Sequence, residues 1–250
     1  MYLRARPRLR DLLELIVAYG LILSVIWTPM PWQRYLYCLA VLCVVGLTLL
    51  RWEKPRALGL APDQTLYSFW IVAVAIALAA IAVFIGWRIG TLHHLPVFRH
   101  LSLKNRVGGY IVWSFLQEFV LQVYMLTRML RLLPRRWMAI VLAALLFAVA
   151  HLPNPVLVGL TLVWAFIACT WFLRYRNLYA LGLAHGILGI CVAITVPDAL
   201  HHHMRVGLGY LHYHPRRHLD HRSRAPQMVS TQACVIDDAA ILLSDRQARP

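Results

Sequence analysis

Runs of 16–22 predominantly apolar residues recur along this 250-residue chain, separated by short stretches that carry Pro, Arg and Lys. About 20 helical residues cross a hydrocarbon core about 30 Å thick, so runs of this length match a bilayer. They lie at 12–27, 35–50, 66–87, 109–130, 137–152, 156–173 and 178–196. The sequence therefore predicts an all-α, polytopic transmembrane helix bundle of about seven to eight spans. The eighth would arise if the basic, His-containing connector 88–106 re-enters the membrane instead of lying along its surface.

The charge balance fits that reading. Only 14% of residues are charged and 60% are hydrophobic, where a soluble domain has about 25% charged residues. The net charge of +15 would suit a nucleic-acid binder if it formed one basic face. Here Lys and Arg stand in short clusters between apolar runs, as topology signals do, so no nucleic-acid partner is expected. The clusters place the N-terminus in the cytoplasm, and the short Arg-rich loops suit a bacterial inner membrane. The first run has no small-residue cleavage site after it and reads as a retained span. Cys38, Cys43, Cys169, Cys191 and Cys234 form no CxxC pair. Four of them lie in apolar runs and read as small core residues, not disulfides or metal ligands. Three regions follow: spans 1–3 with the connector (1–107), a core (108–198) and a polar His/Arg-rich tail (199–250), expected to be loosely ordered.

Sorting the acids leaves one inside the membrane. Asp11 and Glu14 open the first run, where a helix N-terminus favours negative charge. Glu53 and Asp63 are in a loop, and five more follow the last run, which leaves Glu118. Ten of the twelve histidines fall in the connector or tail, leaving His151 and His185. The tail histidines, His201-His202-His203, His212 and His214, read as an exposed run with no assigned site. Ionisable side chains at membrane depth are expensive and mark function by default; the alternative is interhelical hydrogen bonding.

Spacing groups further residues with these three. Gln122 lies four residues from Glu118, on one helical face, and Gln117 sits about 100° around the helix. Phe147 precedes His151 by one turn and would wall its ring. Asn154, past the Pro153 break, brings an amide to the same end. Gly182, Gly186 and Gly189 share a face with His185, and Gly182-x-x-x-Gly186 lets another helix approach closely.

At these residues the chain resembles the CPBP family of intramembrane proteases, the CAAX-processing and bacteriocin-processing enzymes also called Abi proteins. The family's three motifs are EExxxR, FxxxH and HxxxN or HxxxD, on consecutive core helices. Here they read Gln117-Glu118-Phe119-Val120-Leu121-Gln122, Phe147-Ala148-Val149-Ala150-His151 and His185-Gly186-Ile187-Leu188-Gly189. The resemblance spans roughly 109–197. Gln117, Gln122 and Gly189 stand where the family has its first glutamate, its arginine and its asparagine or aspartate.

The resemblance implies glutamate-dependent peptide hydrolysis. Glu118 would be the base that activates water, His151 its partner and His185 an oxyanion donor, with Asn154 or Gln117 in place of the missing asparagine. It implies membrane lipids and a membrane-anchored or lipidated peptide substrate as partners, and no cofactor. Glu118, His151 and His185 also match a zinc site in composition. Two other functions stay open. One is a non-proteolytic relative on the same scaffold, an acyl-transfer enzyme or a substrate-binding protein. The other is a proton-coupled transporter with a Glu/His/His relay, although no internal repeat is visible.

Overall fold

The computed structural model describes residues 5–51, 54–61, 68–92 and 102–213, without the side chains of 5–7 and 102–106. Helices α1 (Ala5–Ile26), α2 (Trp32–Leu49) and α3 (Trp70–Ile89) precede a long helix that starts as α4 (Ser102–Glu118). It continues through the π-helical turns Phe119–Leu126 into α5 (Thr127–Leu132). Then come α6 (Arg136–Val149), α7 (Pro155–Tyr175) and α8 (Leu178–Thr195). The described part ends with α9 (Asp198–His201), a 3₁₀ turn at His202–Met204, and α10 (Gly207–Leu211). The molecule is an all-α bundle, with no strand among the described residues. Among the described residues four helices, α2, α3, α7 and α8, are long and apolar enough to cross a membrane; α6 is a shorter apolar helix. It is a membrane protein.

Side-chain caps set two of the helix starts. Asn154 Oδ1 accepts from Leu157 N (3.1 Å) ahead of Pro155, which suits the first helical position. Asn177 Oδ1 accepts from Ala180 N (3.1 Å), and its Nδ2 donates to Ser68 Oγ (2.6 Å). The core helices then pair as α6 with α7, and α8 with both α3 and α4.

The α4–α8 pair depends on the glycine face. A Cβ on Gly182 would come within 2.5–2.8 Å of the Phe115 ring. Overpacking of this kind costs about 1–3 kcal/mol. Gly182→Val is thus expected to lower the unfolding temperature in detergent. Gly159→Val, at a position with nothing within 4 Å, should leave it nearly unchanged.

Several expectations shift. Asp11 and Glu14 do not serve the first turn of α1, which begins at Ala5; they anchor an ion network at one end of the bundle. Arg128 donates to Glu14 Oε2 from both Nε and Nη2 (3.0 Å each). Arg10 and Arg51 meet Glu14 Oε1 at 2.9 and 3.0 Å, and Asp11 pairs with Arg51 and Arg131. The network joins α1 to α5 and to the end of α2. His151 falls in the turn after α6, not inside a span. Cys169 and Cys191 are buried, but Cys38 is exposed on α2. Helix α4 begins within the stretch read as connector. The middle of that connector, with its re-entrant alternative, lies outside the described residues, as do Cys234 and the tail beyond 213.

The start of the tail is folded, contrary to a loosely ordered reading. Residues 198–213 form a strap across the bundle end opposite the ion network. Asn154 Nδ2 donates to His201 O (2.8 Å) and Arg205 O (3.0 Å), and Gly207 N donates to Leu152 O (2.8 Å). Gly207, at φ 53°, lies against the Ile26 backbone with no room for a side chain. Asp198 closes the strap by accepting from Tyr213 Oη, from His203 N (2.7 Å) and from His203 Nδ1 (2.9 Å). Burial pushes the Asp198 carboxyl up, but these hydrogen bonds and the neighbouring imidazoles outweigh it and hold the group below the usual carboxylate range. Burial and the Asp198 carboxylate push Tyr213 up to about 12.

Candidate active site

Glu118 is the last residue of α4, where the helix passes into π-helical turns that bury Leu121–Leu126 in succession. Such turns recur at functional sites. Its carboxylate is fully buried (0% exposed) and saturated with donors. Trp164 Nε1 of α7 donates to Oε1 (2.6 Å), His185 Nδ1 of α8 lies 2.8 Å from the same oxygen, and Gln122 Nε2 donates to Oε2 (3.0 Å). Three helices therefore fix one carboxylate. A charge buried this deeply is tolerable only when hydrogen-bonded on every side.

The histidines are oriented by what their Nδ1 atoms meet. A carboxylate and a backbone carbonyl only accept, so each Nδ1 facing one carries the proton in the neutral ring. His185 Nδ1–H points at Glu118, and His151 Nδ1–H points at Phe147 O (2.7 Å). Both rings thus keep Nε2 as the acceptor. Phe147 lies between them, with ring centroids 5.0 Å from His151 and 6.1 Å from His185.

Both histidines face a cavity of about 850 Å³ whose wall includes Tyr110, Gln117, Phe147 and Trp164. The strap, through Met204 and Arg205, borders it as well. This is the size range of small-molecule sites, about 300–1,000 Å³. Glu118 has no part in the cavity wall; it stands behind His185.

The sequence-based candidates thus divide. Glu118, Gln122 and His185 are in direct contact, His151 and Phe147 adjoin them across the cavity, and Gln117 lines it. Glu118 pairs with His185, whereas the motif order made His151 its partner. Asn154 is not in the cavity wall. Its oxygen caps α7 and both amide hydrogens hold the strap. Gly189 brings no functional group, and the space above it is filled by Tyr110. Both oxygens of Glu118 are engaged by hydrogen bonds. Among the described residues no three metal-binding side chains converge.

Two contributors escaped sequence reasoning, Trp164 and Tyr110. An indole N–H in an apolar run needs an acceptor, but with nine tryptophans that requirement singles out none of them. Tyr110 emerges only once α4 is laid on α8.

Residues 101–191 match the family model described as Rce1-like, type II CAAX prenyl endopeptidase Rce1-like. The chain matches no curated protein and no solved structure. The matched segment, less than half of the chain, holds Glu118, His151 and His185 together with all three motifs, and over it the chain is similar to that family, consistent with the CPBP resemblance.

Proposed function

We propose that this protein is an intramembrane endopeptidase of the CAAX-processing type, with the N-terminus in the cytoplasm of a bacterial inner membrane. The observation that carries this reading is the buried Glu118–His185 pair, whose free Nε2 faces a largely apolar cavity beside His151. In this arrangement His185, not Glu118, is the general base, and Glu118 is the positioning residue that fixes its tautomer. This carboxylate–imidazole logic recurs in hydrolases on unrelated folds. A water held between the two Nε2 atoms gives its proton to His185, and its oxygen attacks the peptide carbonyl. The tetrahedral intermediate then collapses, the C–N bond breaks, and His185 returns the proton to the leaving nitrogen. The apolar wall suits a lipidated peptide, and the family description makes an S-prenylated CAAX peptide the first probe.

The test uses the purified full chain in detergent on that peptide, with an unlipidated control. His185→Ala is expected to lower turnover by at least a thousandfold, and His151→Ala by about 10²–10⁴-fold, the range for a lost acid–base group. A wild-type protein that cleaves nothing would refute the reading. Gln117 is the one specific observation favouring a non-proteolytic relative, because it, not a glutamate, lines the cavity. Cleavage appearing only in Gln117→Glu would decide for that alternative.

A further inference from the structure

The arrangement that makes both histidines acceptors leaves the reaction without an obvious partner for the negative charge on the carbonyl oxygen. Each Nδ1–H is spent, on Phe147 O and on the Glu118 carboxylate. When His185 takes the proton of water, its new Nε2–H belongs to the leaving nitrogen. Several other polar groups of the wall are committed too. Thr161 Oγ1 donates to Leu157 O (2.6 Å), Thr195 Oγ1 to Cys191 O (2.8 Å), and Trp164 Nε1 to Glu118. On α4, Gln117 and Tyr110 lie seven residues apart and so on one face of the helix, both in the cavity wall, with Trp113 between them also lining it.

Tyr110 is placed by a specific contact. Gly189 follows His185 by one turn of α8, on the same face. A Cβ on Gly189 would come within 2.7 Å of Tyr110 Cε1 and Cζ, and closer still to Oη. The phenol hydroxyl therefore occupies the position in which any side chain of residue 189 would begin. Along α4 its hydroxyl hydrogen-bonds the Ser114 side chain, whose Oγ donates to Tyr110 O (2.9 Å), so it must turn from Ser114 to reach a substrate.

We propose that the Tyr110 hydroxyl is the oxyanion donor of this site, standing over Gly189 one turn from the His185 base. The assignment rests on the peptidase reading above. As the water oxygen bonds to the carbonyl carbon, the C=O π pair moves onto oxygen and Tyr110 O–H hydrogen-bonds to it. No proton leaves tyrosine. On collapse the pair returns, the C–N bond breaks, and the nitrogen takes its proton from His185. A neutral phenol suits this role because it stabilises charge that exists only in the transition state.

Tyr110→Phe removes the hydroxyl and keeps the ring. Loss of one such donor costs about 10²–10³-fold in kcat, and KM for the prenylated peptide should stay within about threefold because the ground-state carbonyl is not the group recognised. Affinity for a peptidyl phosphonate, whose tetrahedral anion mimics the intermediate, should fall by a similar factor. Installing an amide in the vacated space, as Tyr110→Ala with Gly189→Asn, should recover at least tenfold over Tyr110→Ala alone. A Tyr110→Phe protein that retains wild-type turnover and phosphonate affinity overturns the assignment, while an inactive His185→Ala in the same series keeps the peptidase reading standing. A wild-type protein that cleaves nothing overturns both.

Discussion

Glu118→Gln is expected to abolish most turnover while leaving the fold intact. The carboxylate takes hydrogen bonds from Trp164, His185 and Gln122, and an amide can accept on one atom only. Trp164 and His185 both meet Oε1, so an amide oxygen placed there keeps the His185 tautomer and turns its NH₂ toward Gln122. What is lost is the negative charge that stabilises the imidazolium formed when Nε2 takes the proton of water. The base is weakened although every heavy atom remains in place. A loss of about 10²–10⁴-fold in kcat, the range for an impaired acid–base group, is expected here. The readout is kcat on the prenylated peptide, together with an unfolding temperature close to wild type. A Glu118→Gln enzyme within tenfold of wild type would mean that the Glu118 charge does not assist His185.

The largest effect on stability is expected at the other end of the bundle. Glu14 and Arg128 are 8% and 3% exposed, and Arg128 makes two hydrogen bonds to Glu14 and stacks on Tyr124, 3.7 Å from its ring centroid. Glu14→Ala leaves that guanidinium buried without its carboxylate. Breaking a buried pair from one side costs about 3–5 kcal/mol, whereas replacing both partners with apolar residues is often neutral. Glu14→Ala should therefore accumulate poorly and unfold early in detergent, and Glu14→Leu with Arg128→Met should recover most of the loss. Equal stability of Glu14→Ala and wild type would show that the network is not what joins α1 to α5.

These two sites also mark how far the sequence could be read. The helical bundle was legible because each apolar run had to become a helix of about its own length. Glu118, His151 and His185 were legible because ionisable residues are rare in such runs. Their pairing was not, since it depends on how α4, α7 and α8 cross. Glu118 meets His185, 67 positions away, and Trp164, 46 away, and no local period encodes either contact. Glu14 likewise looked like a helix-terminus charge until Arg128, 114 positions on, came beside it. Asn154 read as a catalytic substitute because its amide lay near the right end of a span. Its role as the cap of α7 follows from Pro155, and its hold on the strap only from the fold. The strap itself is polar and short-helical, a composition that resembles disorder until Asn154 and Leu152 supply its anchors.

Hydrolysis in water enriched in ¹⁸O tests the site most directly, with product mass read after a single turnover of the prenylated peptide. Wild-type protein should yield a shortened peptide whose new C-terminal carboxylate carries one ¹⁸O from solvent. His185→Ala at the same concentration should yield none. Equal labelled product from both proteins, or product without solvent oxygen, would contradict a water-attacking site built on His185 and Glu118.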